Sequence, residues 1–462
     1  MKLSQEDTIA AIATPCGVGG IGIIRISGSD SEAIGRLLFK SKKSIPSFKS
    51  HYLYSGNIVS PTTGAILDKV LLSVMRKPHS YTGEDVLEIN CHGGPVVLEA
   101  VLSEVIKAGA RLAEPGEFTR RAFLNKRLDL SQAEAVIDLI MAKTDRGLNL
   151  ALSHLKGDLS KSINDLRSSM IDLLAIVEIS IDFTEEDIHT SPVSKLSDSI
   201  QHIITSIDEI LSTYGEGKIL REGLSVVITG KPNVGKSSLL NRLLNENRAI
   251  VTSVPGTTRD FIEEVINIKG IPVKFVDTAG IRNVENVIEQ EGIRLVWEKV
   301  SSSDIVVILL DGSTNLTEED MEVIEKNKEG EIILVVNKND LSPTLRNNAL
   351  SKILPGVKPL WISAKYGYGI PALKEEIYAR TLQNGQKDIQ SDVILTNLRH
   401  KIALEKAGGL LAKAKRNIIR GLSPELAAFD MREALESLGE IVGETTNEDV
   451  LDKIFADFCI GK

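Results

Sequence analysis

Cysteine is scarce: 462 residues contain only Cys16, Cys91 and Cys459. An odd, sparse set cannot build a disulfide framework and suits a reducing compartment, so the cytoplasm is the expected location. Long apolar runs are also missing. Ile305 to Leu310 is too short to cross a bilayer, and Met170 to Phe183 is broken by Asp172, Glu178 and Asp182, so no membrane span is expected. The opening Met-Lys-Leu-Ser-Gln-Glu-Asp has neither an apolar run nor a small-residue cleavage site, and export is not expected. A basic excess is absent: 54 Lys and Arg stand against 63 Asp and Glu, a net charge of −9. That balance argues against coating nucleic acid through bulk attraction but leaves room for a local basic surface. No internal repeat or low-complexity tract occurs, and hydrophobic residues make up 42% of the chain. Such a composition and length suit about two to four folded domains.

What is present changes character along the chain. From about residue 7 to 110, short β-rich runs (Gly22 to Ser27, Val70 to Val74, Val86 to Cys91) alternate with Gly-rich turns, and Pro95 to Lys107 reads as a helix. From about 117 to 213 the spacing is helical, with Leu130, Ala133, Ile137 and Ile140 on one face and Leu173, Leu174, Val177 and Ile181 on another. After Gly215 and Gly217, strand-like runs recur between helices: Leu224 to Thr229, Val273 to Asp277, Ile305 to Asp311, Ile332 to Asn337 and Pro359 to Ser363. That alternation predicts a mainly parallel, doubly wound sheet ending near residue 382. The last 80 residues or so return to helical spacing, with Leu426, Phe429, Leu435, Leu438 and Ile441 as expected core positions. The economical arrangement packs the two helical stretches together with the α/β unit inserted between them.

The strongest chemical signal is Gly230-Lys231-Pro232-Asn233-Val234-Gly235-Lys236-Ser237, between a strand and the helix Ser237 to Leu244, in which Ser238 follows. The glycines let backbone N–H groups close around phosphate oxygens, Lys236 places a charge on the β and γ phosphates, and the Ser237 hydroxyl can ligate Mg²⁺. Asp277-Thr278-Ala279-Gly280 ends a strand, where the Asp can hold the Mg²⁺ shell through water and the Gly amide can face the γ-phosphate. Asn337-Lys338-Asn339-Asp340 follows a third strand, and the Asp340 carboxylate can accept both N–H groups of a guanine edge, which selects GTP over ATP. Ser363-Ala364-Lys365 can support the base from behind. Between these lies Thr252-Ser253-Val254-Pro255-Gly256-Thr257-Thr258-Arg259-Asp260, a candidate switch loop with Thr258 as the expected further Mg²⁺ ligand. Ile281 occupies the position of a water-orienting Gln, so another group must act; Glu285, Glu289 and Glu291 are all in reach by sequence, and spacing does not choose among them.

Four other features have plainer readings. Glu114 to Arg127 is dense in charge beside aromatics and reads as the start of an amphipathic helix with Glu117 near its positive end. His92 and Cys91 lack further ligands at zinc spacing. The terminal Cys459-Ile460-Gly461-Lys462 is not a prenylation box and is expected to fray. Asn397 to Arg420 holds seven Lys/Arg against Glu405, a helix suited either to solvent or to phosphate.

Taken together, these residues make the chain resemble the MnmE (TrmE) family of tRNA-modification GTPases over nearly its full length. The specific marks are Pro-Gly-Glu-Phe-Thr-x-Arg-Ala-Phe-Leu-Asn at 115–125, Asp-Leu-Ser-Gln-Ala-Glu-Ala at 129–135, Gly-Thr-Thr-Arg-Asp at 256–260 and the final Cys-x-Gly-Lys. The resemblance implies a multidomain protein: an α/β folate-binding and dimerisation domain (1–118), an α-helical domain in two parts (119–218 and 383–462) and an inserted doubly wound α/β P-loop G domain (219–382). It implies a homodimer that works with the flavoprotein MnmG, as a heterotetramer, to add a carboxymethylaminomethyl or aminomethyl group at C5 of the wobble uridine (position 34) of certain tRNAs. A 5-formyl- or 5,10-methylene-tetrahydrofolate is the implied one-carbon source. It further implies K⁺ bound by Asn233, Thr252, Val254 and Thr257 in place of an arginine finger, with Glu289 as the catalytic glutamate. Folate contacts are implied at Arg25, Glu88, Arg127 and Lys462, with Arg127 where relatives often carry Lys, and Cys459 would lie nearby without an assigned role. A ribosome-assembly GTPase or a non-catalytic nucleotide-gated scaffold are the alternatives; a KH module or second G domain, which would favour the former, is not visible in the sequence.

Overall fold

Successive side chains of a strand point to opposite faces, which divides Gly22–Ser27 into a buried pair, Ile24 and Ile26, and an opposite side bearing Arg25. A computed structural model describes residues 7–182, 193–247, 263–277, 303–328, 330–345, 350, 353–383 and 393–462. Seven strands form the first sheet: β1 (Ile9–Ile12), β2 (Gly22–Ser27), β3 (Phe39–Lys40), β4 (Tyr52–Val59), β5 (Ile66–Met75), β6 (Val86–Cys91) and β7 (Arg111–Leu112), in the order β3-β4-β5-β6-β2-β1-β7. Pairing is antiparallel except that β7 runs parallel to β1. Helices α1 (Ser31–Leu38) and α2 (Pro95–Lys107) cover the face carrying Ile24, Ile26, Leu72 and Leu87. On the other face Ile9 and Ala11 meet Ala113 and Phe118. Arg25 therefore stands on the thinly covered side.

Near-continuous apolar strands build the second sheet, as a sheet covered on both faces requires. Among the described residues its strands are β8 (Leu224–Thr229), β9 (Glu263–Ile268), β10 (Ile271–Asp277), β11 (Ile305–Asp311), β12 (Ile332–Asn337) and β13 (Leu360–Trp361), ordered β13-β12-β11-β8-β10-β9. All neighbours are parallel except the β9–β10 hairpin. Val226, Ile228, Val307 and Val335 pack on one side with helices Lys236–Asn247 and Ile370–Gln383, and Val306, Ile308 and Leu334 pack on the other with helix Glu318–Asn327. The doubly wound arrangement is the expected one. The last strand is shorter than the expected Pro359 to Ser363, because Ser363 already turns back to an isolated bridge with Tyr368.

Helices α3 (Glu117–Leu124), α4 (Leu130–Met141), α5 (Asp145–Lys156), α6 (Asp158–Asp182), α7 (Val193–Ser212) and α8 (Tyr214–Glu222) precede the second sheet. Helices α9 (Leu398–Ile419), α10 (Pro424–Val442) and α11 (Glu448–Ala456) follow it. Leu159, Ile163, Met170, Val177, Ile200 and Ile207 share one core with Leu404, Leu411, Met431, Leu438 and Ile441, so segments from both sides of the inserted sheet fold as one unit. Two expected core positions are wrong: Leu426 and Phe429 are 52% and 57% exposed, and Ile140 is also exposed. The buried face of α10 is Ala427, Ala428, Met431, Ala434, Leu438 and Ile441, which shares a core with Ala403, Leu404, Ala407, Leu411 and Ala414 of α9; Leu426 and Phe429 fall outside that face. Among the described residues no helix is long and apolar enough to cross a membrane.

Candidate functional site

β8 ends at Thr229, and the chain turns through Gly230 (φ +153°), Asn233 (φ +64°) and Gly235 (φ +100°) into the helix that opens at Lys236. Two of these glycines are enforced by close approach. A Cβ on Gly230 would lie 2.3 Å from Leu309 O, and one on Gly235 would lie 2.4 Å from Asn337 Nδ2. Lys236 Nζ donates to Gly230 O and Lys231 O, both at 2.9 Å, which folds its charge over the loop. Lys231 in turn pairs with buried Asp320 at 2.8 Å. Asn233, Ser237 and Ser238 are exposed at the loop and helix start, whereas Val234 is buried beneath them.

The base-reading elements converge on the same end of the sheet. Asn337 is 3% exposed; its Nδ2 donates to Val234 O at 2.8 Å and its Oδ1 accepts from Ala364 N at 2.9 Å, joining the phosphate loop to the Ser363–Lys365 turn. Asp340 Oδ1 accepts from Ser363 Oγ at 2.6 Å, which orients that carboxylate. Lys338 (φ +66°) reaches Asp311 Oδ2 at 2.6 Å. Burial works to raise the Asp311 carboxyl, yet the hydrogen bonds from Lys338 and Ser313 hold it below the usual carboxylate range. Arg242 donates to Ala364 O and Lys365 O, fixing the turn from beneath. Asp277 closes β10 opposite Ile228 of β8. Thr252 to Thr258, Thr278 to Gly280, Ile281, Glu285, Glu289 and Glu291 lie outside the described residues.

A second constellation forms where the chain ends. Arg25 Nε donates to Glu88 Oε1 at 2.8 Å across the β2–β6 pair, and its Nη1 donates to Gly461 O at 3.2 Å. The guanidinium lies 5.5 Å from the Tyr81 ring centroid and 5.8 Å from that of Phe118. The tail does not fray: Ile460 bridges Pro115, and Gly461 (φ +96°) sits so close to β1 that a Cβ would meet Ile12 O at 2.5 Å. That places Lys462 beside Arg25 and Glu88. Burial lowers the Lys462 ammonium, Arg25 lowers it further, and Glu88 and Cys459 act the other way. Cys459 is exposed. Arg127 is exposed too, and its Cγ borders Gly83, two residues beyond Tyr81. Away from both ends, His92 Nδ1 meets Asp68 Oδ1 at 2.6 Å, and burial, with Asp68 adding, pushes the Cys91 thiol up to about 12.

Comparison with known proteins agrees with this layout. A family model described as the MnmE helical domain matches residues 130–459, and one described as the GTP-binding protein TrmE N-terminus matches residues 8–127. A protein of Syntrophus aciditrophicus (strain SB) named tRNA modification GTPase MnmE is 55% identical over 458 residues, covering 99% of this chain and 100% of that one. The chain belongs to the MnmE (TrmE) family. Relatives of the same name from Geobacter metallireducens (47% identical, 99% of each chain) and Acetivibrio thermocellus (46% identical, 99% of this chain and 100% of that one) match as fully.

Two of the four sequence marks of the MnmE family, at 115–125 and 129–135, also act in packing. Glu117 opens α3 as expected but is also buried, bonded to both Arg111 and Arg121, while Asp7 bonds the same two guanidiniums. Burial works to raise the Glu117 carboxyl, and the Arg111, Glu114 N–H and Arg121 hydrogen bonds overcome it. In the second run Asp129 caps α4 in a capping box with Gln132, Ser131 Oγ meets Ser160 Oγ, and Glu134 binds Arg399 and His400. Sequence reasoning missed Tyr81, Phe118 and Thr119, which form the floor beneath Arg25; Phe118 lies inside the 115–125 run, the one available signal. The basic stretch 397–420 is partly spent: Arg399 binds Glu134, Lys413 binds Asp430 and Lys401 pairs with Glu405.

Proposed function

We propose that the protein is a GTP hydrolase acting in tRNA modification, and that with the flavoprotein MnmG it builds an aminomethyl-type group at C5 of the wobble uridine. The observation that carries the GTPase half is the Asn337 bridge, which makes the phosphate loop and the base-reading turn one body. In this reading Asp340, oriented by Ser363, accepts the guanine N1 and N2 protons, and Lys236 leaves the loop carbonyls for the phosphates. Ser237 and Thr258 would hold Mg²⁺, which supplies charge neutralisation at the phosphates. The exposed Asn233, with Thr252, Val254 and Thr257, would hold K⁺, and Glu289 would orient the attacking water in place of the glutamine that Ile281 replaces. The donor types fit: hydroxyl and amide oxygens suit both hard cations.

The tail constellation supports a tetrahydrofolate derivative held by Arg25, Glu88, Arg127 and Lys462, since paired cations suit carboxylate-bearing ligands and the partly exposed Tyr81 supplies flat apolar surface, with buried Phe118 supporting Arg25 from beneath. The division at 118, 218 and 382, the homodimer and the cytoplasmic location belong to the same proposal. Two measurements test it. GTP turnover in KCl should exceed that in NaCl at equal ionic strength, and equal rates would remove the ion from the mechanism. Mass analysis of tRNA nucleosides from a deletion strain should show loss of a C5-modified uridine; an intact nucleoside profile would sink the tRNA role.

A further inference from the structure

One stripe of α5 meets the inserted sheet and both chain crossings that lead to it. Arg146 lies flat on the β9–β10 turn: a Cβ on Gly270 (φ +86°) would fall 2.5 Å from Arg146 Cδ, so the side chain rests on bare glycine backbone. The same guanidinium pairs through Nη2 with Glu216 Oε1 at 2.7 Å, in α8, the helix that ends two residues before β8 begins. One turn further along α5, Leu150 packs against the apolar core of the sheet. A turn beyond that, the His154 Nε2–H donates to Ile394 O at 2.8 Å, on the segment that returns from the sheet. Spacing of four residues keeps these side chains in one row.

Both ends of this row are connected to a candidate site. From the Gly270 turn, β10 runs seven residues to Asp277, beside Ile228 and two residues short of Gly230. At about 3.3 Å per residue a strand of that length is a stiff rod of about 23 Å. In the other direction α5 is tied to α4 by Gln132 Nε2 donating to Leu155 O at 3.1 Å. Leu130 and Val136 of α4 then pack with Phe455 of α11 and with Phe458, on the run that ends in the tail.

We propose that Arg146 is a positioning residue that passes a displacement of the β9–β10 hairpin to α8 and α5, and so connects the nucleotide end of the protein to its tail end. The inference rests on reading Gly230–Ser237 as a GTP site. Arg146 touches neither constellation, and a partly exposed ion pair of this kind contributes little to stability, so its removal leaves the fold standing. Lysine keeps the charge but loses the planar fork that spans Glu216 and the glycine turn.

The test is hydrogen–deuterium exchange on the full-length protein with Mg²⁺ and K⁺, comparing GDP with GDP plus aluminium fluoride, read at peptides covering residues 212–222 and 393–397. GTP turnover is measured on the same preparations. The wild type should show a nucleotide-dependent difference in both peptides. Arg146→Ala should lose most of that difference while keeping turnover within about twofold of wild type, and Arg146→Lys should fall between the two. A wild type without GTP turnover would sink the nucleotide reading itself. With turnover present, the proposal is overturned if the wild type shows no difference in these peptides, if the difference survives in Arg146→Ala, or if turnover falls in step with it.

Discussion

Truncating Asn337 to alanine removes two hydrogen bonds at once and leaves both partners buried. Val234 O loses its donor and Ala364 N loses its acceptor, at 2.8 and 2.9 Å in the intact protein. Each buried polar group left unpaired costs about 1–3 kcal/mol, so the two loops together become less stable in the shape seen here by about 2–6 kcal/mol, a cost that falls on nucleotide binding to the extent that the free loops of the variant relax out of that shape. Water entering the vacated space offsets part of this, because the neighbouring Gly235 and Asn233 are not fully buried, which favours the lower end. At 1.4 kcal/mol per decade, about 2–3 kcal/mol is a 30- to 150-fold weakening of nucleotide binding. Titration of a fluorescent GDP analogue against Asn337→Ala measures it directly, with circular dichroism as a check that the fold survives. Affinity within threefold of wild type in a folded variant would refute the argument that this one side chain makes the phosphate loop and the base turn a single body.

Glu134→Gln probes the acid side of stability. Burial would raise this carboxyl, but His400 and Arg399 bring it down to about 2. Its folded value lies below its unfolded one, so the stabilisation is complete above about pH 4.5 and is lost as pH falls towards 2; the gap corresponds to about 3 kcal/mol. The denaturant midpoint of Glu134→Gln should therefore fall below that of wild type at pH 7, and the difference should shrink below pH 4.5; a difference independent of pH contradicts the assignment. Gly217→Ala places a Cβ 2.1 Å from Leu395 O, a backbone atom that cannot swing away. Calorimetry should show a loss of about 1–3 kcal/mol from this overpacking, with GDP affinity close to wild type, and an unchanged transition would show that the two crossings are not in contact.

Much of the nucleotide end was legible because its chemistry is local. The phosphate loop, the strand before it and the Asn-Lys-x-Asp turn are each written in fewer than ten consecutive residues, and the structure places both turns at the carboxyl ends of strands in one parallel set. Asn337 opens the expected base-reading turn, but its buried bridge runs to Val234, 103 positions away, and to Ala364, 27 positions away, which no local pattern encodes. The tail end was legible only through family resemblance. Composition and position both favour fraying of Cys459 to Lys462, and what overrides that is Arg25 Nη1 reaching Gly461 O across 436 residues. Leu426 and Phe429 differ from expectation for another reason: hydrophobic size does not show which side of α10 meets α9, and that side is Ala427, Ala428, Met431, Ala434 and Leu438.

The way the inserted sheet is attached decides what kind of signal can leave it. Two loose linkers would let the sheet turn freely and would transmit nothing. Here the outgoing and returning crossings are pinned to each other, with Leu395 N donating to Thr213 Oγ1 at 2.8 Å and Gly217 giving up a side chain to Leu395. Successive turns of α4 then hold both: Glu134 binds Arg399 and His400 on the returning side, and Asp138 binds Arg221 on the outgoing side at 2.7 Å. Burial pushes the Asp138 carboxyl up while Arg221 pulls it down, so this second clamp is easier to protonate than the first. Because both crossings are anchored to one helix, a displaced hairpin must either move α4 and α5 as rigid pieces or break a buried ion pair. Moving the helices is cheaper, since uncovering a buried charge costs several kcal/mol, of order 3–5. Helix displacement is therefore the form in which nucleotide state can reach the aromatic cluster of Phe455 and Phe458 and the tail beyond it.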